Sequence, residues 1–284
     1  MAVHIVSDTC HYLPRPLVAE NDIHEVSLYV HRSGEVFRES EMPDYDAYYR
    51  RLGSSPELPT TSQPSIGDFL AVYEPLLEGG DEIVSIHLAG GMSGTVRAAE
   101  QAREQLGDRA ARVRVLDSAT ACGGEGLVLL AAAAAARAGA DAEAVQARAQ
   151  EARAALKLWF AIDTLEYLRR GGRIAGAQAW LGTALKIKPI LSVESEITPI
   201  ERVRTSRRAF EKLVGLFETC QREGIDGWVV QHIQAPEQAA ELERRGREIF
   251  GTDPVLVSEI GPVIGTHVGP GLLGAGGIPR SLLA

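Results

Sequence analysis

Three short stretches of this chain gather hydroxyls, glycines and histidine in ways that could do chemistry. Ala89-Gly90-Gly91-Met92-Ser93-Gly94-Thr95 follows a β-branched run and leads into a helical pattern. Ser93 and the amide of Gly94 therefore stand at a helix start, where unpaired N–H donors and the helix dipole favour an anion. Thr60, Thr61 and Ser62 lie in a second stretch, SSPELPTTSQPS, and Ser7-Asp8-Thr9 and Asp117-Ser118 follow other apolar runs. Hydroxyls converging on a carboxylate would contribute roughly 1.5–3 kcal/mol each. An isolated serine at such a place equally well caps its own helix.

Gly91-Met92-Ser93-Gly94-Thr95 also approaches the GxSxG turn of serine hydrolases, with Thr95 where the last glycine belongs. A nucleophilic Ser93 would need a histidine. His232 and His267 qualify, since each closes a predicted strand, GWVVQH and PVIGTHV. A serine esterase or thioesterase using Ser93 with His267 or His232 thus stands beside a binding role, in which the same groups only donate hydrogen bonds. The chain has no P-loop, GxGxxG, HExxH, EF-hand spacing or paired-carboxylate motif, so nucleotide and metal sites are not supported. Asp8 and Asp117 are expected to be turn or cap residues.

The elements that must position these groups follow from periodicity. VHIVS, EVSLYV, EIVSIHL and VRVL alternate with segments of 3.6-residue spacing, the pattern of βαβ units in a Rossmann-like parallel sheet with helices. Their following loops then share the carboxyl edge of the sheet, where open α/β sheets bind ligands. Ser54 to Ser65 is expected to be loop, with Ser65 capping a helix from Ile66. Gly126 to Leu156 predicts two helices broken at Gly139, the second capped by Asp141. Beyond Leu158 the runs LWFAI, IKPILSV, ITPIERV, GWVVQH, PVLVS and PVIGTHV predict a mixed or antiparallel sheet, with helices at Thr205–Gln221 and Pro236–Phe250. The fold class is α/β in two lobes, residues 1–157 and 158–284.

Composition narrows the partners. A net charge of −9 argues against nucleic acid and anionic lipid as general partners. Cys10, Cys122 and Cys220 are odd in number and widely spaced, which suits a reducing cytoplasm better than a disulfide framework. Neither a signal peptide nor a membrane-spanning helix is expected. Charge is nevertheless uneven. Residues 31–82 carry eleven acids and four arginines, whereas 161–210 carry nine basic and five acidic groups. The basic face around Arg169, Arg170, Arg173, Arg202, Arg204, Arg207 and Arg208 is either helix solvation or a surface for phosphate or an acidic partner.

In order, the segments IVSDT, TTSQPSIGDF, SIHLAGGMSGT, VLDS, LEYLRRGGRI, LKIKPIL, VRTSRRA, VQH and GTHVGPG closely resemble the DegV family of bacterial fatty-acid-binding proteins, over about residues 3 to 274. The resemblance implies a long-chain fatty acid buried between two domains, its carboxylate at a polar site and its acyl chain in an apolar tunnel. It implies no cofactor and no catalytic residue in this chain. Family members serve as binding subunits of fatty acid kinase and present the carboxylate to a separate catalytic subunit, which uses ATP to make an acyl-phosphate. Carried onto this sequence, the head-group residues are Thr61, Ser62, Ser93 and His267, with Asp8 or Gly94 nearby, and Arg173 and Arg204 lie towards the kinase. Transient membrane contact follows from such a ligand. The ending LLGAGGIPRSLLA departs from the family pattern and suggests a short or shifted last strand, and Ala177 to Trp180 fall where tunnel-lining residues would vary.

Overall fold

The computed structural model describes residues 1–42, 44–54, 58–181 and 187–284, which leaves Lys186 of the KIKPI segment and residues 55–57 of the proline-rich stretch outside the described residues. The first half runs β1 (Val3–Asp8), α1 (Arg15–Glu20), β2 (Ile23–Val26), β3 (Tyr29–Arg32), β4 (Glu35–Arg38), α2 (Tyr45–Ser54), β5 (Thr60–Ser62), α3 (Ile66–Leu77), β6 (Glu82–His87), α4 (Thr95–Gln105), β7 (Val113–Asp117), α5 (Gly123–Arg137) and α6 (Ala142–Ala155). β2, β1, β6 and β7 form one sheet in that order, every pair parallel. The predicted caps are in place. Ser65 and Asp68 exchange bonds with each other's backbone N–H as a capping box on α3, and the Asp141 side chain accepts from Ala144 N at 2.9 Å on α6.

The second half runs β8 (Lys157–Ala161), α7 (Glu166–Arg170), β9 (Lys188–Glu194), β10 (Glu196–Val203), α8 (Ser206–Arg222), β11 (Gly227–His232), α9 (Pro236–Phe250), β12 (Leu256–Glu259), α10 (Pro262–Val268) and β13 (Leu273–Ile278). Its sheet has the order β10-β9-β8-β13-β11-β12, antiparallel except for β11 with β12. The architecture is therefore the expected α/β fold in two lobes, one parallel and one mixed. α5 touches β1 and β6 on one side and β11 and β13 on the other, and its first thirteen residues are all buried. Its alanines let α6 approach closely, so Val145, Ala149 and Ala152 share one apolar cluster with it.

Four expectations fail, each for a tertiary reason. EVSLYV is not one strand, because the chain leaves the parallel sheet at Ser27-Leu28. Leu28 N donates to Thr9 Oγ1 at 3.3 Å, and β3 then pairs with β4 and β5 in a separate antiparallel sheet. Thr60–Ser62 is consequently a strand, with Thr61 opposite Val30. PVIGTHV is the helix α10. Pro262 suits a first helical position, and packing against α2 overrides the β preference of its branched residues. The final glycine-rich segment is neither short nor shifted, since β13 lies between β8 and β11 with all six residues buried. No helix among the described residues is long and apolar enough to cross a membrane.

Candidate functional site

β5 and α10 come from opposite halves of the chain and meet through one hydrogen bond, Thr61 Oγ1 to His267 Nε2 at 2.7 Å. They form part of the wall of a cavity of about 200 Å3, which Ser62, Gln63, Ser93, Gly94 and Arg173 also line. α10 lends it Val263, Ile264, His267 and Val268, the pattern of one helical face, while Leu28, Leu88 and Leu168 close the apolar side. A polar patch is thus set into a greasy wall.

His267 is held in a neutral state. Burial, followed by the nearby Arg173 guanidinium, lowers its pKa from 6.5 to about 4. Its Nδ1 is buried without a hydrogen-bond partner among the described residues and lies against Gly171, where a Cβ would collide with the ring. With no acceptor at Nδ1 we assign the single proton to Nε2, donating to Thr61 Oγ1. The Thr61 hydroxyl hydrogen is then available to an anion in the cavity. Ser62 Oγ is 2.8 Å from Nε2 of His31, a second buttress from β3.

Ser93 precedes Gly94, the N-cap of α4, and its Oγ is 2.8 Å from Thr95 Oγ1. A Cβ at Gly94 would overlap the Gln63 amide, so glycine is required for the β5 loop to pack on the helix start. Arg173 donates from Nη1 to Gly171 O at 2.8 Å and from Nε to Met92 O at 3.3 Å, which places it in the wall of the cavity that Ser93 and His267 also line. Arg204 is exposed just before the α8 cap Thr205 and is not among the described cavity residues. Of the two arginines, only Arg173 is among the described residues that line this cavity.

Several candidates stand apart. Asp8 is fully buried and accepts from Cys10 N at 2.9 Å, Leu88 N at 3.0 Å and His87 Nδ1 at 3.2 Å, so it fixes strand ends beneath the cavity. Asp117 is a turn residue that accepts from Gly90 N and Ala119 N. Ser7, Thr9 and Ser118 bond inward to Ile86 O, Glu39 and Thr120 O, so the hydroxyl loops do not all converge as their common edge suggested. His232 takes a bond from Ala235 N at 3.4 Å, and burial lowers its pKa. Neither it nor His267 contacts Ser93 by a hydrogen bond, and no carboxylate orients His267, so the hydrolase triad is not assembled among the described residues.

Met92, Ile264 and Val268 also line a second, apolar cavity of about 40 Å3 that continues inward between Cys122, Phe160, Val193 and Leu272 to Leu158 and Val229. Gln231 is its polar exception, and that amide is engaged by Gly123 N and by Ser258 Oγ at 2.9 Å. Ala177–Trp180 are not among the described lining residues; Ala177 is buried in the interlobe core and Trp180 lies under the Arg202 guanidinium. The polar cavity and the apolar one therefore share a wall at Met92, Ile264 and Val268.

The DegV family model, described as an uncharacterised protein family, matches residues 2–280. The chain belongs to the DegV family. Protein DegV of Bacillus subtilis is 34% identical over 277 residues, covering 96% of this chain and 98% of its own. Among solved DegV structures, one described as fatty acid binding, from Thermus thermophilus, has a TM-score of 0.88 at 34% identity and covers 98% of this chain and 100% of its own. The Bacillus subtilis DegV structure, described as a fatty acid binding protein, gives 0.89 at 32% over 98% and 99%.

Sequence reasoning missed Gln63, His31 and Glu39 around this DegV site. Glu39 is 2% exposed and accepts from Thr9 Oγ1 at 2.7 Å, Tyr12 OH at 2.8 Å and Val263 N at 2.8 Å, which ties the start of α10 to the first lobe. Burial, against those hydrogen bonds, raises its pKa to about 7. Gln63 lay within the quoted TTSQPS segment, whereas no local signal distinguishes His31 or Glu39.

Proposed function

We propose that this DegV protein binds one long-chain fatty acid between its two lobes and presents the carboxylate to the catalytic subunit of a fatty acid kinase, which forms an acyl-phosphate with ATP. The observation that carries the reading is the Thr61–His267 pair at the polar end of an apolar bore. Thr61, Ser62 and Ser93 hold the carboxylate, Gly94 leaves its backbone accessible, and His267 keeps Thr61 oriented as a donor. Arg173 faces the head group, and Arg204 serves the partner from outside. The two DegV structures described as fatty acid binding support the ligand class. The kinase step rests on the family resemblance. The same reading puts the protein in the cytoplasm, in transient contact with the membrane that supplies its ligand.

Native mass spectrometry of protein purified without added lipid tests the first half, with one fatty acid per chain as the expected result. Repeated preparations free of fatty acid, together with no binding in solution, would sink it. For the second half, the loaded protein is incubated with a fatty acid kinase catalytic subunit, ATP and hydroxylamine. Acyl hydroxamate is expected, and its absence with a bound ligand would leave only a carrier. Ester turnover lost in Ser93→Ala would instead revive the hydrolase.

A further inference from the structure

At the end of the parallel sheet opposite the fatty-acid site, two histidines share a face. β1 and β2 pair with Ile5 opposite Ile23 and Val6 opposite His24, which brings His4, Asp22 and His24 to one edge. The His4 and His24 rings meet edge to face, centroids 5.5 Å apart. One potential ligand atom from each of His4, Asp22 and His24 lies within 4.8 Å of the other two.

Three observations set this cluster apart from a chance surface grouping. Nε2 of His24 is buried and has no hydrogen-bond partner among the described residues, although Asp22 Oδ1 is 3.9 Å away, too far for a direct bond. Asp22 holds a left-handed backbone with φ of 49°, an uncommon conformation for a non-glycine residue, and it directly precedes β2. Asp81 stands beside the His4 ring, its Oδ2 3.4 Å from Nε2, and is itself fixed by Ala2 N at 2.7 Å.

We propose that His4, His24 and Asp22 form a binding site for a divalent transition-metal ion of the Zn2+ class. Two ligand atoms each about 2.0–2.1 Å from Zn2+ are roughly 3.4 Å apart at a tetrahedral angle, so small side-chain rotations close the site. Two imidazoles with one carboxylate leave a fourth position to water, and the nitrogen ligands select Zn2+, Cu2+ or Ni2+ over Mg2+ and Ca2+. Asp81 adds negative charge beside the site. The ion would pin the outer strand β2 to β1, a role independent of the fatty acid.

The test titrates chelator-treated, tag-free full-length protein with Zn2+ by calorimetry and with Co2+ by absorption. One equivalent is expected to bind, with the ligand-field bands of a low-coordinate site. His24→Ala and Asp22→Asn each weaken binding at least tenfold, the double variant His4→Ala/His24→Ala abolishes it, and His232→Ala leaves it unchanged. Bound fatty acid is unaffected throughout. If a variant does not fold, histidine-ring NMR of the unaltered protein decides: Zn2+ shifts the His4 and His24 resonances and leaves His31 and His232 in place. No stoichiometric binding, full binding in the double variant, or shifts confined to other histidines would overturn the site.

Discussion

The polar cavity and the apolar bore meet at Met92, Ile264 and Val268 yet are built on different principles. In the polar cavity, hydroxyls are held by neighbouring side chains: Thr61 by His267, Ser62 by His31 and Ser93 by Thr95. In the bore the lining is apolar apart from Gln231, whose amide is already engaged, and the space of about 40 Å3 must widen to take a long acyl chain. If the proposed fatty acid binds here, orientation belongs to the first region and affinity to the second.

The largest effect expected from this division is on chain length. At about 0.8 kcal/mol per buried methylene, six more methylenes strengthen binding by roughly three orders of magnitude until the bore is full. Displacement of a fluorescent fatty acid by a homologous series measures this, and a flat series would remove the bore from the account.

Next in size is a pH effect at the seam of the two lobes. Between pH 4 and 6.5 the unfolded chain protonates His267 while the native state does not, so this residue makes stability rise with pH across that window, by up to about 3 kcal/mol. Glu39 acts in the opposite sense. Its pKa is raised from 4.5 to about 7, so the stability it gives is complete below 4.5 and is lost as pH rises towards 7. Urea unfolding at a series of pH values should therefore show a steeper rise between pH 4.5 and 6.5 in Glu39→Gln than in the unaltered protein. An unchanged slope would mean that Glu39 is ionised in the native state.

Single donors come third. Ser93→Ala and Thr61→Val should each weaken fatty acid binding by roughly ten- to a hundred-fold, as expected for hydrogen bonds to a charged group, and a fatty alcohol of equal length should not register the change. Equal losses for acid and alcohol would show that these hydroxyls do not read the head group. The smallest effect is at Arg204, where alanine should leave the dissociation constant within about twofold and lower only the rate of acyl-phosphate formation. A large loss of binding would move Arg204 into the site.

What could be read in the sequence follows the range of the forces involved. β1, β6 and β7 are runs rich in β-branched residues, closed by Asp8, His87 and Asp117, and such runs announce themselves locally. β5 has three polar residues, and only its pairing with β3 makes it a strand. α10 carries β-branched residues and becomes a helix because Tyr48 OH reaches Thr266 Oγ1 at 2.5 Å and Tyr49 OH reaches Ile260 O at 2.6 Å, contacts from more than two hundred residues away. Thr61, Ser62 and Ser93 were visible because hydroxyls beside glycine and proline are unusual. Glu39 lies in an acidic stretch that looks like solvated surface, and its burial is a fact of packing alone. His4 and His24 are twenty residues apart, a spacing that carries no signal until parallel pairing aligns them.

The buried carboxylate of Asp8 grips its neighbours mainly through backbone amides, those of Cys10 and Leu88. Such a joint does not depend on which side chains Cys10 and Leu88 carry. Drift can therefore remodel Leu88, in the cavity wall, and Cys10, in the interlobe core, while the strand ends that carry them stay in register. One invisible acid gives the visible pocket its freedom to change.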